Sequence, residues 1–294
     1  MITYLQNIPW WILAILSMLF SSIFILLRKK GSSKEHATRF ELTRSLVMVI
    51  LLLTIIPYLT FNYTIKTLLV IYFISFLATI GILLVAKSIR HAQLSEISPL
   101  SNLSNGFVAI FAFLFLGESL SRGQISGIIL LIIGAYALES DGKGLWGAFV
   151  SHIKSKYVLY AILGTFLFSI TALLDKYTIE NLIPAIDFLF IVWIFIFINL
   201  IIVTALRDNP IKAVQHCLKK SKQYILLAGI FGFLANLTYI LALSTGLVSL
   251  VIPIRRASTL IVTIVGGEIF HEDHLLIKTI AALIMIIGAS LLII

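Results

Sequence analysis

Apolar residues occur along this chain in long runs that are separated by short polar connections. A run of roughly 20 residues crosses the hydrocarbon core of a bilayer as an α-helix, whereas a membrane strand is a segment of about ten residues with alternating polarity. The pattern predicts ten helices, near residues 8–27, 42–59, 68–89, 93–116, 121–138, 157–174, 185–206, 224–243, 248–270 and 275–294. The predicted fold class is therefore an all-α polytopic membrane protein.

The longest polar connection divides the ten predicted helices into two sets of five. It includes residues 139–144 and 151–156, where Gly, Ser and Asp are typical of turns. We therefore predict a first five-helix repeat at residues 1–140, a connecting segment at 141–156 and a second five-helix repeat at 157–294. Because five is an odd number, the two halves cross the membrane in opposite senses and form inverted repeats.

Two polar, proline-containing segments occupy equivalent places in the two halves. In many transporters with inverted repeats, interrupted helices in corresponding positions line the substrate site near the middle of the membrane. We therefore predict a binding site between the fourth and ninth helices. The residues that coincide at one constant offset are Ser95 with Ser249, Pro99 with Pro253, Asn102 with Arg256 and Glu118 with Glu272.

The ninth segment contains two adjacent arginines, Arg255 and Arg256. An arginine near the bilayer centre costs roughly 2.5–3.5 kcal/mol on insertion scales, which favours a function for it. Adjacent helical positions point about 100° apart, so we expect Arg256 to face the cavity. Arg255 is expected to snorkel or to pair with an acidic residue such as Glu96 or Glu268. A structural ion pair remains the alternative, whereas a guanidinium without such a partner would select carboxylate or phosphate.

The other predicted site residues are polar positions on helical faces that point toward the same site. Hydroxyl and amide side chains also form packing hydrogen bonds between membrane helices, and this alternative stays open for them. Together with Arg256, the predicted substrate-binding residues are Ser98, Asn102, Asn105 and Glu96 in the fourth helix, Thr259 in the ninth, and Asn236 and Tyr239 in the eighth.

Three carboxylates near helix ends are interpreted as structural. Glu118 and Glu272 each stand before a short turn, where a carboxylate stabilises the positive end of a helix. Asp175 and Lys176 follow the sixth predicted helix and are expected to form an ion pair at the membrane interface. A role in gating the pathway is the less common alternative for this pair.

Composition and charge narrow the class of protein. The chain is 60% hydrophobic and 12% charged, with a mean hydropathy of +1.08, far from the values of soluble domains. The net charge of +9 does not indicate nucleic-acid binding, because the basic residues lie mainly in loops after odd-numbered helices. By the positive-inside rule these loops are cytoplasmic and both termini are outside.

One cysteine, and histidines only at helix ends or in connections, predict no disulfide, metal or other cofactor.

Two segments carry a family resemblance. Residues 98–138 and 252–293 each have a proline, about twenty residues, a glutamate before a turn and then a glycine-containing helix. In this the chain resembles the EamA type of the drug/metabolite transporter superfamily. The resemblance implies ten helices in two inverted repeats, transport of small metabolites by alternating access, and cytoplasmic termini, contrary to the charge distribution. The Arg255–Arg256 pair departs from the general pattern, so no substrate is carried over.

These observations favour a secondary transporter of a small polar or anionic metabolite, amino-acid-like or an organic anion, in the plasma or inner membrane. A flippase for a phosphate-bearing lipid carrier is the alternative. An intramembrane enzyme is disfavoured because no nucleophile–base or metal constellation is present, and a scaffold because polar stripes are buried. The expected partners are the small-molecule substrate and the lipid bilayer. Coupling to a proton through Glu96, or to another ion, and a homodimer are open alternatives.

Overall fold

The computed structural model describes residues 8–32, 35–91, 104–139, 156–262, 265 and 275–293. All regular structure in these ranges is helical, and a short 3-10 turn, Leu53–Tyr58, extends α2. The helices are α1 (Trp10–Ser32), α2 (Ala37–Leu52), α3 (Ile65–His91), α4 (Ser104–Leu116), α5 (Arg122–Glu139), α6 (Lys156–Asn181), α7 (Ala185–Ala205), α8 (Pro210–Thr245), α9 (Val248–Arg256) and α10 (Leu275–Ile293).

Six of these helices are long and apolar enough to cross a membrane. They are α1, α2 with its 3-10 extension, α3, α6, α7 and α8. The described parts of α4, α5 and α10 contain shorter apolar stretches of 10–17 residues. The expectation of an all-α chain with many apolar spans is therefore confirmed for the part of the chain that the structure describes.

Helix α8 begins much earlier than the sequence pattern predicted. Residues 207–223 were expected to form a connection interrupted by Pro210, but α8 begins at that proline. The Asn209 side chain accepts hydrogen bonds from the backbone N–H groups of Ile211 at 3.0 Å and Lys212 at 3.1 Å. Asn at the cap and Pro at the first position favour a helix start. The basic stretch is therefore helical, with a kink at Ser221.

Two other helices extend past their predicted ends. Helix α1 continues from residue 27 to Ser32, and α6 continues from residue 174 to Asn181. Their predicted ends were placed at the first charged residue, although a charged side chain that faces the inside of a helix bundle does not end a helix. As a result, Arg28 and Asp175 lie within helices rather than in connections.

The described part of the ninth segment is not one continuous helix. Helix α9 ends at Arg256, Ala257 forms a turn, and residues 258–262 are helical again. Pro253 lies one turn before this break and supplies no backbone N–H to the helix. Residues 263–264 and 266–274, which include Glu272, lie outside the described residues.

The helices pack in pairs that repeat between the two halves. Helix α8 packs on α1 and α2, and its counterpart α3 packs on α6 and α7. Helices α5 and α10 pack on each other through Gly127 and Gly288, and a Cβ atom at Gly127 would lie 2.7 Å from the Gly288 carbonyl oxygen. Only glycine permits two backbones to approach so closely. A cavity lies between the helices other than α4, α5 and α10.

Candidate binding site: an arginine-lined cavity

A cavity of about 260 Å³ lies between α1, α2, α3, α6, α7, α8 and α9. Most of its wall is apolar, and polar or charged side chains line it at only a few positions. Its charged lining residues are four arginines and one carboxylate, namely Arg28, Arg44, Arg255, Arg256 and Asp175. Its other polar lining residues are Ser21, Thr171, Asn236, Tyr239, Ser258 and Thr259.

Two of the arginines share one buried carboxylate. Glu41 is fully buried and accepts hydrogen bonds from Arg28 Nε at 2.6 Å and from Arg44 Nη2 and Nε at 2.8 and 3.1 Å. Arg28 also donates to the Ile82 carbonyl at 3.2 Å, which ties α1 and α2 to α3. The Arg44 guanidinium lies over the Trp193 ring at 5.2 Å. Charge, hydrogen bonds and ring contacts together stabilise these buried cations.

One donor of this cluster remains available. Arg44 Nη1 is buried and has no hydrogen-bond partner among the described residues. Because Arg44 lines the cavity, that N–H group can donate to a molecule inside it. A buried donor without a partner costs free energy, so a ligand acceptor there would be stabilising.

Arg255 contacts an aromatic ring instead of a carboxylate. Its guanidinium lies 4.2 Å from the centroid of the Tyr239 ring, and it makes long contacts of 3.5 Å to Ser21 Oγ and Asn236 Oδ1. The Tyr239 hydroxyl donates to Asp175 Oδ2 at 3.4 Å. Arg255 therefore neither snorkels to the surface nor lies apart from the cavity. Its two expected acidic partners, Glu96 and Glu268, lie outside the described residues.

Arg256 lines the cavity, as expected from the sequence, but Arg255 lines it as well. Among the described residues it has neither a hydrogen bond nor a salt bridge, in contrast to Arg28 and Arg44. The expectation that only one of the two adjacent arginines would face the cavity was wrong. Both residues lie in the last turn of α9 and point about 100° apart, but two long side chains at that angle can both reach one wide cavity.

The other predicted site residues divide into three groups. Thr259, Asn236 and Tyr239 line the cavity. Asn105 in α4 is only 1% exposed but does not line it, and neither of its amide atoms has a hydrogen-bond partner among the described residues. Ser98, Asn102 and Glu96 lie outside the described residues, so the contribution of the fourth helix stays a prediction.

The expected ion pair of Asp175 and Lys176 is not formed. Asp175 lines the cavity, whereas Lys176 donates to the carbonyl oxygens of Leu243 at 2.9 Å and Gly246 at 2.8 Å and pairs with Glu180 at 2.7 Å. Because α6 continues past residue 174, Asp175 and Lys176 are adjacent positions of one helix, and their side chains point in different directions. Lys176 thereby anchors the end of α8 to α6.

Sequence reasoning missed four residues at or behind the cavity wall: Arg28, Glu41, Arg44 and Asp175. A usable signal existed for two of them, since Glu41 and Arg44 are three apart on a helix and Glu/Arg pairs at that spacing meet. Arg28 lies just after the predicted end of the first helix at residue 27, so it was not expected to face the site. Its role depends on α1 continuing to Ser32, for which the local sequence offered no sign.

Glu118 stabilises α9 from the other half of the chain. Its carboxylate accepts from the backbone N–H groups of Val248 at 2.9 Å and Ser249 at 3.1 Å, and from the Ser249 hydroxyl. These are the first residues of α9, so Glu118 caps the positive end of the helix that carries Arg255 and Arg256. It is structural, as predicted, although the helix that it caps is distant in sequence rather than adjacent.

A second carboxylate ties the connection after α2 to the start of α7. Asp187 Oδ1 accepts from the Thr60 N–H at 2.8 Å, the Thr60 hydroxyl at 3.0 Å and the Tyr63 hydroxyl at 2.5 Å. Partial burial, followed by the hydrogen bond to Asp187, raises the pKa of Tyr63 to about 12. The phenol therefore stays protonated as a donor at neutral pH, and the connection is held against α7.

The site and fold together define a class: a helical membrane protein with a polar cavity between its helices. No three His, Cys, Asp or Glu residues in the described ranges are grouped as metal ligands. The sequence model of the EamA-like transporter family matches residues 8–139 and again 155–294. The chain belongs to this family and is an integral multi-pass membrane transporter of the drug/metabolite type.

The remaining comparisons concern the fold. A solved crystal structure has a TM-score of 0.70 with the chain at 13% sequence identity, covering 95% of this chain and 94% of the other. At that identity the likeness shows a shared fold and nothing about substrate. No curated protein matches the sequence.

Proposed function

We propose that the chain is a secondary transporter that binds a small organic anion or an amino-acid-like zwitterion in the arginine-lined cavity. The observation that carries this proposal is that Arg256 lines the cavity without a hydrogen bond or salt bridge to another described residue. A guanidinium in such surroundings matches a carboxylate or phosphate group in shape and charge. The Arg44 Nη1 donor adds a second point of attachment.

The net charge of the site supports an anionic ligand. Even when both Asp175 and Glu41 are ionised, the four arginines leave an excess of two positive charges. Asp175 also offers one carboxylate to an ammonium group, which keeps amino-acid-like zwitterions among the candidates. The volume of about 260 Å³ lies near the lower end of ligand pockets, roughly 300–1,000 Å³, and suits a small metabolite.

Transport by alternating access requires the cavity contacts to change as the two halves move. We propose ten membrane helices in two inverted repeats, with the fourth helix contributing to the site in another state or through residues 92–103. The chain would reside in a plasma or inner membrane. The distribution of basic residues favours an orientation with both termini outside the cell. A reporter that is active only in the cytoplasm should therefore be inactive when it is fused after residue 294. Cytoplasmic activity of that reporter would reverse the proposed orientation.

The experiment that tests the function begins with ligand-dependent thermal shifts of the detergent-solubilised protein. The panel contains monocarboxylates, dicarboxylates, amino acids and phosphomonoesters, because a ligand that binds the folded state raises the melting temperature. Compounds that stabilise the protein are then tested for uptake into proteoliposomes. We expect Arg256→Ala to weaken binding by roughly tenfold or more, as the loss of one charge-assisted contact predicts.

The matched control is Arg122→Ala, which removes an exposed arginine at the start of α5. This variant should bind and transport like the unmodified protein. If Arg256→Ala leaves both binding and uptake unchanged, the site is assigned wrongly. If no compound of the panel raises the melting temperature, the proposed substrate class is wrong.

A further inference from the structure

A second, strongly basic pocket lies at the helix ends beside the arginine-lined cavity. It has a volume of about 200 Å³ and lies between the start of α2, the end of α3, the start of α6 and the residues after α7. We call it the basic pocket. Its ionisable lining residues other than tyrosines are Lys87, Arg90, Lys156, Arg207, His36 and His91.

The four lysine and arginine side chains have no carboxylate partner among the described residues. Within the described part of the chain, no aspartate or glutamate lines the basic pocket. The nearby Asp208 is paired with Arg39 at 2.6 Å, and Glu35 lies 3.6 Å from His216. The positive charges of the pocket therefore face one another rather than acidic side chains, and an anion that enters it meets several donors at once.

Aromatic rings contact two of these cations, Lys87 and Lys156, without neutralising them. Lys87 Nζ lies 5.8 Å from the centre of the Tyr160 ring, and Lys156 Nζ lies 5.2 Å from the centre of the Tyr157 ring. The His91 ring stacks on Tyr157 with centroids 4.6 Å apart. A ring orients a cation and leaves its N–H donors available to an anion.

Backbone groups add to the positive potential. Helix α2 begins behind His36, whose side chain makes no capping hydrogen bond, and α6 begins at Lys156, so two helix starts meet at the basic pocket. The first N–H groups of a helix carry partial positive charge. The pKa of His36 reflects this positive potential. It is lowered mainly by partial burial and, in addition, by the positive charges of Arg90 and other basic neighbours.

We propose that the basic pocket is a binding site for a phosphate group. Convergent Lys and Arg donors from three elements match the three or more acceptor oxygens of a phosphate better than the two of a carboxylate. The phosphate can belong to a lipid headgroup at the membrane surface or to a soluble molecule, and both share this chemistry. Helix α3 carries Arg90 in this pocket and Ile89 in the wall of the cavity, so a bound phosphate would lie next to the cavity.

The first arm of the test uses inorganic phosphate on lipid-free, detergent-solubilised protein at constant ionic strength. We expect phosphate to raise the melting temperature, and the double variant Lys87→Gln/Arg90→Gln to raise the apparent dissociation constant at least about tenfold. The second arm uses nanodiscs of phosphatidylglycerol or phosphatidylcholine and counts retained lipid by native mass spectrometry. The anionic lipid should be retained on the unmodified protein and lost from the double variant.

The matched control is Lys219→Gln/Lys220→Gln, which removes two exposed lysines of α8 outside the pocket and should leave both responses intact. If the first double variant is poorly folded, Arg207→Gln replaces an exposed residue at the pocket edge and should weaken both responses. A response to lipid alone identifies a headgroup, a response to inorganic phosphate alone identifies a soluble ligand, and responses in both arms show a site that accepts either source of phosphate.

Three outcomes overturn the proposal: no response in either arm, an equal loss in the control variant, or a phosphate response that Arg256→Ala abolishes while Lys87→Gln/Arg90→Gln keeps it. The last result would assign the phosphate to the cavity. Arg256→Ala is expected to retain the phosphate response, so failure of this inference and failure of the proposed transport site are distinguishable.

Discussion

The cavity contains two pairs of arginines that lie in very different surroundings. Arg28 and Arg44 share the buried carboxylate of Glu41 through short hydrogen bonds. Arg255 rests on an aromatic ring, and Arg256 has no hydrogen bond or salt bridge to another described residue. The same side chain therefore serves two purposes in one site. Where a carboxylate is shared, the arginines connect helices, and where it is missing, the guanidinium can bind a ligand.

Replacement of Glu41 by Gln should have the largest effect. Two buried guanidinium groups would lose their counter-charge, and breaking a buried pair in this way costs about 3–5 kcal/mol. We expect a large drop in the melting temperature of the purified protein, or its failure to purify as a single species. The control Glu180→Gln disrupts the ion pair of a half-exposed glutamate with Lys176 and should cost about 1 kcal/mol or less. Equal losses in the two variants would contradict a structural role for the shared carboxylate.

Replacement of Glu118 by Ala should have the next largest effect, and it acts on the second arginine pair alone. The variant leaves two N–H groups at the start of α9 without their acceptor, at a cost of about 1–3 kcal/mol. Thermal unfolding measures this loss, and ligand binding should weaken as well because α9 carries Arg255 and Arg256. Unchanged stability and binding would show that the cap does not position these arginines. Glu180→Ala provides a glutamate control away from α9.

Replacement of Arg256 by Ala should change stability little while it removes ligand binding. No carboxylate among the described residues loses a partner, so we expect the free energy of unfolding to stay within about 1 kcal/mol of the original or to rise. The comparison with Glu41→Gln separates the two arginine pairs directly. A loss of several kcal/mol on thermal unfolding would mean that Arg256 is a structural residue like Arg28.

Replacement of Tyr239 by Phe should have the smallest effect. The ring below Arg255 is kept, and only the long hydrogen bond of 3.4 Å to Asp175 is lost, at a cost of about 0.5 kcal/mol. Tyr239→Leu removes the ring as well and should cost more, by roughly 0.5–2 kcal/mol. If the two variants have equal melting temperatures, the ring does not stabilise Arg255.

The fold was predictable to the extent that the bilayer dictates it. Apolar runs of membrane length indicated the all-α class with several membrane spans, of which the described residues contain six, and the proline and glutamate positions pointed to the correct family. Helix ends were harder to predict, because a charged residue such as Arg28 or Asp175 ends an apolar run without ending the helix that contains it. Pro210 was misread for a related reason, since a proline ends a helix at one position and begins one at another.

The candidate site was only half predictable. Polar residues in apolar helices pointed to Arg256, Thr259, Asn236 and Tyr239, all of which line the cavity. The carboxylate that pairs two of the arginines was not found, because Glu41 and Arg28 lie on different helices and meet only when α1 packs against α2. A helical period shows which residues share a face, but not what that face contacts.

The sequence by itself determined that this chain is a helical membrane transporter with arginines in its interior. That follows from the cost of placing polar groups in hydrocarbon, which acts on each segment separately. Only the tertiary structure decided which arginines share a carboxylate, and that Glu118 caps a helix 131 positions away. These pairings depend on distances between segments that are remote in the chain, and the environment of each charge determines whether it is paired between helices or left available to a ligand.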